Sequence, residues 1–218
     1  MVQVVEKLCA YQLPLVICAI DFKKAFDTVE HFGIWEALKS QGVPDNYIAV
    51  LMALYAGQVG KLISPTESRK FKLERGTKQG DPMSPAIFNS VLELVFAKVQ
   101  PKWRKKGWGI KLGCEDTDLL CNLRLADDIL LLATSRRQLK QMLQDVIAAT
   151  RDVGLELHPV KTKILRMDNC HSRSSPPVLV DGLRIEVLSK DGSATYLGRL
   201  LSAHDTQDTE LDFRIERA

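Results

Sequence analysis

The sequence predicts an α+β fold, an antiparallel sheet backed by helices, and two observations lead to that prediction. Helical segments and short strand pairs alternate along the chain without the regular strand–helix repeat of a parallel sheet. In addition, Asp181-Gly182 separates two short apolar segments, which is a strong signal for a hairpin turn between antiparallel strands. The length of 218 residues is sufficient for one large domain or two small ones.

The first half of the chain begins with an apolar stretch that is too short for a helix and rich enough in Val and Ile for a buried strand. Two helical segments follow; Gly42 and Pro44 end the first, and Asp45 and Gly57 bracket the second. Two short strands then flank a Ser-Pro turn. The predicted elements are a strand at 13–20, helices at 28–41 and 45–55, and strands at 60–63 and 70–73.

The second half contains two helices with a clear apolar stripe and several short strands. The second of these helices is capped by Ser135 and ends at Gly154. An apolar segment at 119–132 is interrupted in its middle by Ala126-Asp127-Asp128. The other predicted elements are a helix at 85–99, strand pairs at 155–157 with 162–167 and at 178–180 with 183–187, and a final strand at 196–200.

Composition narrows the class of protein. The chain is 45% hydrophobic and 26% charged, and it contains no uninterrupted apolar run of about 18 residues that would span a membrane. The first ten residues lack the basic start of a secretory signal, and five cysteines without a C-x-x-C pair indicate reduced thiols. We therefore expect an intracellular protein, nuclear or cytoplasmic and not secreted. A net charge of +3 permits a nucleic-acid partner without requiring one.

Acidic residues stand where two apolar strands end. Asp21 follows the first predicted strand, and Asp127-Asp128 interrupts the apolar segment at 119–132. Each site alone is compatible with a structural role, Asp21 as a cap and Asp127-Asp128 as a hairpin turn. If the two strands are neighbours, the three carboxylates converge, and their mutual repulsion requires a cation such as Mg²⁺, which takes hard oxygen ligands.

Five segments resemble, in order, motifs A to E of reverse transcriptases, with spacing similar to that of non-LTR retrotransposons and their relatives. Together they cover about residues 10–200. The segments are Asp21-Phe22-Lys23-Lys24-Ala25-Phe26-Asp27, Arg75-Gly76-Thr77-Lys78-Gln79-Gly80-Asp81-Pro82-Met83-Ser84-Pro85, Leu125-Ala126-Asp127-Asp128, Gly154-Leu155-Glu156-Leu157-His158-Pro159-Val160-Lys161-Thr162-Lys163 and Tyr196-Leu197-Gly198.

The resemblance implies an RNA-directed DNA polymerase with a ferredoxin-like palm and partial fingers in residues 1–200, and a tail at 201–218 that leads to a missing thumb. It implies two Mg²⁺ ions, with Mn²⁺ as an alternative, in a metal set of Asp21, Phe22, Asp127 and Asp128. The implied partners are an RNA template, a DNA primer and deoxynucleoside triphosphates, without a membrane. The sequence does not predict an oligomeric state.

The resemblance also assigns roles outside the metal set, each beside a plainer interpretation. Phe26 matches a steric gate against the 2′-hydroxyl, or is a core Phe. Lys161 matches a group that protonates or holds the pyrophosphate, or is a solvated loop lysine. The remaining assignments are Arg75, Gly76, Gln79 and Gly80 to a loop on the nucleotide and template, which also reads as a Gly-rich turn, and Tyr196, Leu197 and Gly198 to the primer grip.

The sequence departs from the reverse-transcriptase motifs at two positions, and it also contains one basic stretch. Leu125 stands where the family usually has an aromatic residue, and His158 stands where motif D usually has Asn. In the stretch at 102–108 (Lys-Trp-Arg-Lys-Lys-Gly-Trp), cationic residues alternate with aromatic ones. Such a stretch either binds a nucleic acid or is a solvated segment at the end of a helix.

Two other functions stay open at this point. One is a non-catalytic retroelement-derived module that binds RNA or protein. The other is a nucleotidyl cyclase on a palm-like fold, which rests on fold analogy alone.

Overall fold

The computed structural model describes residues 14–63, 68–78, 80–112, 119–166, 175–189, 192–196 and 199–202. These residues divide into two compact units. The first comprises the described residues of Met1–Phe22, Val99–Ile147 and Leu157–Ala218, and the second those of Lys23–Lys98 and Ala148–Glu156. No helix in the described part of the chain is both long and apolar enough to cross a bilayer.

Five helices and twelve strands form in these residues. The helices are α1 Ala25–Thr28, α2 His31–Ser40, α3 Asp45–Tyr55, α4 Ser84–Lys105 and α5 Arg136–Arg151. The strands are β1 Val16–Ile20, β2 Val59–Ile63, β3 Ser68–Lys72, β4 Ile110–Lys111, β5 Leu119–Leu120, β6 Asn122–Leu125, β7 Asp128–Ala133, β8 Lys163–Arg166, β9 Val178–Val180, β10 Leu183–Val187, β11 Ser193–Tyr196 and β12 Arg199–Ser202.

The first unit is built on a six-stranded sheet in the order β6-β7-β1-β8-β10-β9. Its pairs are antiparallel, as predicted, except that β8 and β10 run parallel. Strand β1 lies in the interior of the sheet, with β7 on one side and β8 on the other. The mixed sheet is backed by helices, so the predicted α+β palm-like class is confirmed.

Both faces of this sheet are buried, which explains why β1 and β7 are almost continuously apolar. One face belongs to a core cluster that also takes in residues from β4 and β11; its buried members are Leu15, Ile17, Ile110, Leu130, Leu132, Leu165, Ala194 and Tyr196. The opposite face is also fully or nearly fully buried, at Cys18, Ile20, Ile129 and Leu131. Burial of the α5 stripe confirms the predicted amphipathic helix; its residues are Leu139, Met142, Leu143, Val146 and Ile147.

The second unit contains α1 to α3 and the two-stranded ribbon of β2 and β3. The predicted helix at 45–55 matches α3 residue for residue, but Pro44 is its N-cap and Asp45 makes no capping hydrogen bond. The aromatic rings of His31, Trp35 and Tyr55 pack together, the last two edge to face at 5.6 Å.

The helix predicted at 28–41 forms as α2 but begins three residues later, at His31, because an extended break at Val29 and Glu30 separates it from the short helix α1. Contacts with distant segments impose the break. Glu30 forms a bridge with Arg75, and its backbone N–H donates to the carbonyl of Val153 at 2.9 Å. Tertiary pairing therefore overrides the helical preference of the local sequence.

Three further predictions need correction. Residues 155–157 and 162–167 do not pair with each other, because Leu157 bridges to Phe22 and β8 pairs with β1. The final strand at 196–200 is instead the hairpin of β11 and β12. The helix predicted to end at 99 continues as α4 to Lys105, past Pro101, as far as the fully buried Trp103 and two residues beyond it.

Candidate active site

Asp21 is fixed at the end of β1 by its own backbone. Its carbonyl accepts a hydrogen bond from the backbone N–H of His158 at 2.8 Å. Its N–H donates to the hydroxyl of Thr162 at 3.3 Å, and that hydroxyl lies 3.4 Å from the Asp21 carbonyl oxygen. Thr162 is fully buried, so these contacts hold the Asp21 backbone against the segment that carries motif D.

The departure at His158 has a structural explanation. In the family pattern this position is Asn, whose side chain stabilises turns by bonding to the backbone a few residues on. Here Nδ1 of His158 accepts a hydrogen bond from the backbone N–H of Lys161 at 3.3 Å, and the His158 carbonyl accepts from the N–H of Thr162 at 2.9 Å. The imidazole therefore stabilises the turn as an asparagine side chain would.

Asp127 and Asp128 lie at the hairpin between β6 and β7. Leu125 pairs with Asp128, so Ala126 and Asp127 are the two turn residues. Ala126 has a left-handed backbone with φ of 52°, a conformation that two-residue hairpin turns require and that glycine adopts most easily. Leu125 is 59% exposed, so at this position the motif presents an aliphatic side chain to solvent.

The strand register brings together the strands next to these acids. Strand β1 pairs with β7 from Val16 with Ala133 to Ile20 with Ile129. Asp21 directly follows Ile20, and Asp128 directly precedes Ile129, with Asp127 in the turn before it. Residues paired in an antiparallel register have Cα atoms about 4.5–5.5 Å apart. The register thus makes β1 and β7 neighbours, as the predicted convergence of the carboxylates requires.

One oxygen of the Asp21 carboxylate has an ion-pair partner but no hydrogen bond. Its Oδ1 atom is buried and has no hydrogen-bond partner among the described residues, and the ammonium of Lys161 lies 3.9 Å from it. A buried carboxylate oxygen without a hydrogen bond is costly, and a hard divalent cation is the ligand that it suits. Asp21 thus offers an oxygen that suits a cation, although no group of three acidic, His or Cys side chains in the described residues is already close enough to hold one.

The other two predicted members of the metal set differ in what they offer. Asp127 is exposed in the turn, with its carboxylate accessible to solvent. Phe22 is buried and bridges to Leu157, so only its backbone carbonyl, and not its side chain, is a possible ligand.

Tyr196, predicted as part of the primer grip, is a buried member of the sheet core. Burial raises the pKa of its phenol, and the negative charge of Asp128 raises it further. The charge effect shows that this ring is electrostatically coupled to the end of the sheet where Asp128 lies. The other two residues of this predicted motif, Leu197 and Gly198, lie outside the described residues.

In the second unit, the predicted nucleotide-binding loop is hydrogen-bonded to the end of motif A and to the residues just after it. The N–H of Gly76 donates to the Val29 carbonyl at 2.7 Å, and the N–H of Thr77 donates to the Phe26 carbonyl at 2.6 Å. Gly76 has φ of 88°, and a Cβ there would lie 2.8 Å from the Asp27 carbonyl oxygen. Only glycine fits so close an approach of two backbones.

The structure also describes Phe26 of motif A and two further residues of the predicted loop. Phe26 is half-buried, with its ring 4.7 Å from that of Phe88, which agrees with a core contact. Arg75 is exposed, and Gly80 has φ of 82° with open space around its Cα. Gln79 lies outside the described residues.

The basic stretch at 102–108 has mainly a structural role. Trp103 is fully buried and its indole N–H donates to Oδ2 of Asp145 at 2.9 Å, while Lys102 contacts Oδ1 of the same carboxylate at 2.5 Å. Lys106 lies over the ring of Trp108 at 4.3 Å. These intramolecular contacts favour the interpretation as a helix exit.

Sequence reasoning missed Thr162, whose hydroxyl holds the Asp21 backbone. A threonine next to a predicted strand gives no local signal of this role. The pairing of β1 with β8, which the sequence did not predict, brings it there.

Comparison with known proteins finds Pol polyproteins of R2 retrotransposable elements among the relatives of this chain. The chain is 34% identical to a Pol polyprotein from the type-1 retrotransposable element R2 of Nasonia vitripennis, over 70% of this chain and 14% of that protein. It is 28% identical to an R2 Pol polyprotein of Popillia japonica, over 86% of this chain and 31% of that protein. The chain thus spans less than a third of the length of either relative.

Among solved structures, an apo telomerase from Candida tropicalis truncated from its C-terminal domain has a TM-score of 0.62. The two chains are 14% identical, and the match covers 93% of this chain and 38% of the telomerase chain. This likeness supports the α+β palm-like fold. Residues 4–201 match the model of the family described as reverse transcriptase (RNA-dependent DNA polymerase). This chain therefore belongs to the reverse transcriptase family, and its R2 relatives confirm the predicted resemblance to non-LTR retrotransposons.

Proposed function

We propose that this chain is the catalytic core of an RNA-directed DNA polymerase that extends a DNA primer on an RNA template. One observation supports the proposal: Ile20 and Ile129, which adjoin Asp21 and Asp128, are paired in the β1–β7 register, and Asp21 has a buried oxygen without a hydrogen-bond partner among the described residues. The same sheet in a structural protein would gain nothing from adjacent acids, because like charges repel. The family match favours this function over the non-catalytic module.

Asp21, Asp127 and Asp128, with the backbone carbonyl of Phe22, would hold two divalent cations, Mg²⁺ or Mn²⁺. Reverse transcriptases generally depend on divalent metal. When bound, such ions lower the pKa of the primer 3′-hydroxyl and neutralise charge on the triphosphate and its pyrophosphate leaving group. The chain itself fixes the positions of the carboxylates, since phosphoryl transfer depends mainly on positioning and charge.

Lys161 has a defined place in this proposal. Its ammonium is exposed and lies 3.9 Å from the Asp21 carboxylate, next to the proposed cation site. From there it would neutralise the departing pyrophosphate or donate a proton to it. The turn held by His158 sets the position of the Lys161 backbone.

The remaining predicted residues bind substrate in this proposal. Phe26 would exclude a 2′-hydroxyl, and the loop of Arg75, Gly76, Gln79 and Gly80 would contact the nucleotide and template. The primer end would rest on Tyr196, Leu197 and Gly198. Residues 1–200 would form palm and partial fingers, with 201–218 leading toward a thumb, in an intracellular protein.

Primer extension tests the proposal. A DNA primer on an RNA template is incubated with the 218-residue chain, deoxynucleotides and Mg²⁺, and product length is followed over time. Extension should be lost in Asp127→Ala and retained in Asp152→Ala, an exposed acid in the second unit. Extension that persists at an equal rate in Asp127→Ala would overturn the proposal. Failure of the wild-type chain to extend any primer, together with failure to bind Mn²⁺ by calorimetry, would also overturn it.

A further inference from the structure

The ribbon formed by β2 and β3 is exposed along nearly its whole length. Every residue of Val59–Ile63 and Ser68–Lys72 is exposed, apart from Gly60, which is half-buried. The two strands contain four cations and no acid: Lys61, Arg69, Lys70 and Lys72. A two-stranded ribbon without further packing is only marginally stable in water. An exposed ribbon of this kind is therefore a candidate for a surface that a binding partner stabilises.

The register concentrates three of these cations on one face. Lys61 stands directly opposite Lys70, and Val59 stands opposite Lys72. Because side chains alternate along a strand, Lys70 and Lys72 point to the same side, about 6.6 Å apart along the strand. We call Lys61, Lys70 and Lys72 the lysine face. None of the three forms an ion pair with a residue that the structure describes.

A direct lysine–lysine pair is unfavourable in an antiparallel ribbon unless an anion lies between the two ammonium groups. The other face cannot supply that anion, because it is formed by Gly60, Leu62, Arg69 and Phe71. There the Phe71 ring covers Gly60 so closely that a Cβ on Gly60 would lie 2.4 Å from it. The ribbon therefore presents one cationic face and one face closed by an aromatic ring.

We propose that the lysine face binds the phosphodiester backbone of a nucleic-acid strand. Lysines supply point charges to phosphates and read no sequence, which suits an enzyme that must accept any template. The choice of nucleic acid as partner rests on the proposed polymerase function, but the binding itself requires neither metal nor nucleotide. Three lysines in so short a ribbon would follow consecutive phosphates of one strand.

The test is the salt dependence of binding. Labelled single-stranded RNA of mixed sequence is titrated with the 218-residue chain between about 50 and 200 mM salt, without nucleotide or divalent metal. For the double variant Lys61→Gln/Lys70→Gln, the slope of log K against log salt should fall in magnitude by about 1.4, since each phosphate contact on a single strand contributes about 0.7. Affinity should fall on the order of tenfold.

The matched control is Arg137→Gln/Lys140→Gln, which removes the same charge from two exposed residues of α5. Its slope should equal that of the wild type. An unchanged slope in the ribbon variant, or an equal fall in both variants at unchanged circular dichroism, would overturn the proposal. A parallel titration with single-stranded DNA shows whether the ribbon accepts either backbone. If the wild-type chain extends no primer, but the ribbon variant still shows the smaller slope, then only the polymerase proposal is contradicted.

Discussion

The hydroxyl of Thr162 lies 3.3 Å from the backbone nitrogen of Asp21 and 3.4 Å from its carbonyl oxygen. The buried Thr162 side chain thus contacts both polar backbone groups, the N–H and the carbonyl, of the residue proposed to hold the metals. The contact joins the end of β1 to the beginning of β8. It makes the position of a carboxylate depend on a residue 141 positions away in the sequence.

Replacing Thr162 with valine should lower stability and weaken metal binding together. Valine keeps the shape but removes the hydroxyl, so the Asp21 N–H loses its partner at a cost of about 1–3 kcal/mol. Thr162→Ser retains the hydroxyl and should lose less than half as much. Urea denaturation measures the first effect, and the Mg²⁺ concentration needed for half-maximal extension measures the second. Equal Mg²⁺ requirements in both variants would contradict this positioning role.

Replacing Asp21 with asparagine should separate folding from metal binding. In the metal-free chain, Asp21→Asn removes the charge of a side chain that is 41% exposed, whose Oδ1 has no hydrogen bond and only a 3.9 Å ion pair with Lys161, so stability should stay within about 1 kcal/mol. Added Mg²⁺ or Mn²⁺ should raise the Tm of the wild type, since a ligand that binds only the folded state stabilises it. The variant should show no such rise in thermal denaturation. A metal-dependent rise of equal size in both proteins would exclude Asp21 as a ligand.

Gly76→Ala should be much more destabilising than Gly42→Ala. The two glycines have similar backbones, with φ of 88° and 80°, so the strain of a side chain at positive φ is about 1–2 kcal/mol for each. A Cβ at Gly42 meets nothing within 4 Å, whereas at Gly76 it would lie 2.8 Å from the Asp27 carbonyl oxygen. We expect an additional loss of about 1–3 kcal/mol at Gly76, measured by urea denaturation. Equal losses would show that the loop moves away without cost.

Asp145→Ala should destabilise the first unit through Trp103. The substitution leaves the indole N–H of a fully buried ring without its carboxylate partner, at a cost of about 1–3 kcal/mol. Lys102→Ala removes only a half-exposed ion pair with the same carboxylate, so its cost should be about 0–1 kcal/mol. Thermal denaturation followed by tryptophan fluorescence compares the two. A larger effect for Lys102→Ala would show that the ion pair dominates.

Stability should fall at alkaline pH, and Tyr196 should account for part of the fall. Burial, with the Asp128 charge, raises the pKa of this phenol above its ordinary value of 10.0. The folded state therefore keeps the proton longer than the unfolded state, so the stabilisation is complete below about pH 10 and is lost as pH rises through the folded pKa. Tyr196→Phe should lose less stability between pH 9.5 and 11 than Tyr47→Phe, which removes an exposed phenol. Identical pH profiles would contradict the assignment.

The elements that the sequence predicted well are those whose signals are local. The apolar stretch before Asp21, the turn at Asp127 and the Asp181-Gly182 hairpin each formed where expected, since strand length and turn chemistry are encoded within a few residues. Asp181 and Gly182 both have positive φ, as the turn between β9 and β10 requires.

The features that the sequence did not predict depend on distant partners. The break at Glu30 is imposed by Arg75 and Val153, and the parallel pairing of β8 with β10 has no local signature. For the candidate site, the motifs identified the carboxylates, while the register showed that β1 and β7, the strands next to them, are neighbours. The role of Thr162 needed coordinates, because its contact is with a backbone far away in the chain.

The position of β1 inside the sheet has a consequence for biosynthesis. β1 is made before both of its neighbours, which begin at Asp128 and Lys163, so more than a hundred residues leave the ribosome before either edge is paired. Until then, a short apolar strand with two open edges is exposed on the nascent chain, a state prone to aggregation. Contacts so distant in sequence also slow folding. The strand that precedes Asp21 therefore depends on contacts that can form only late in translation.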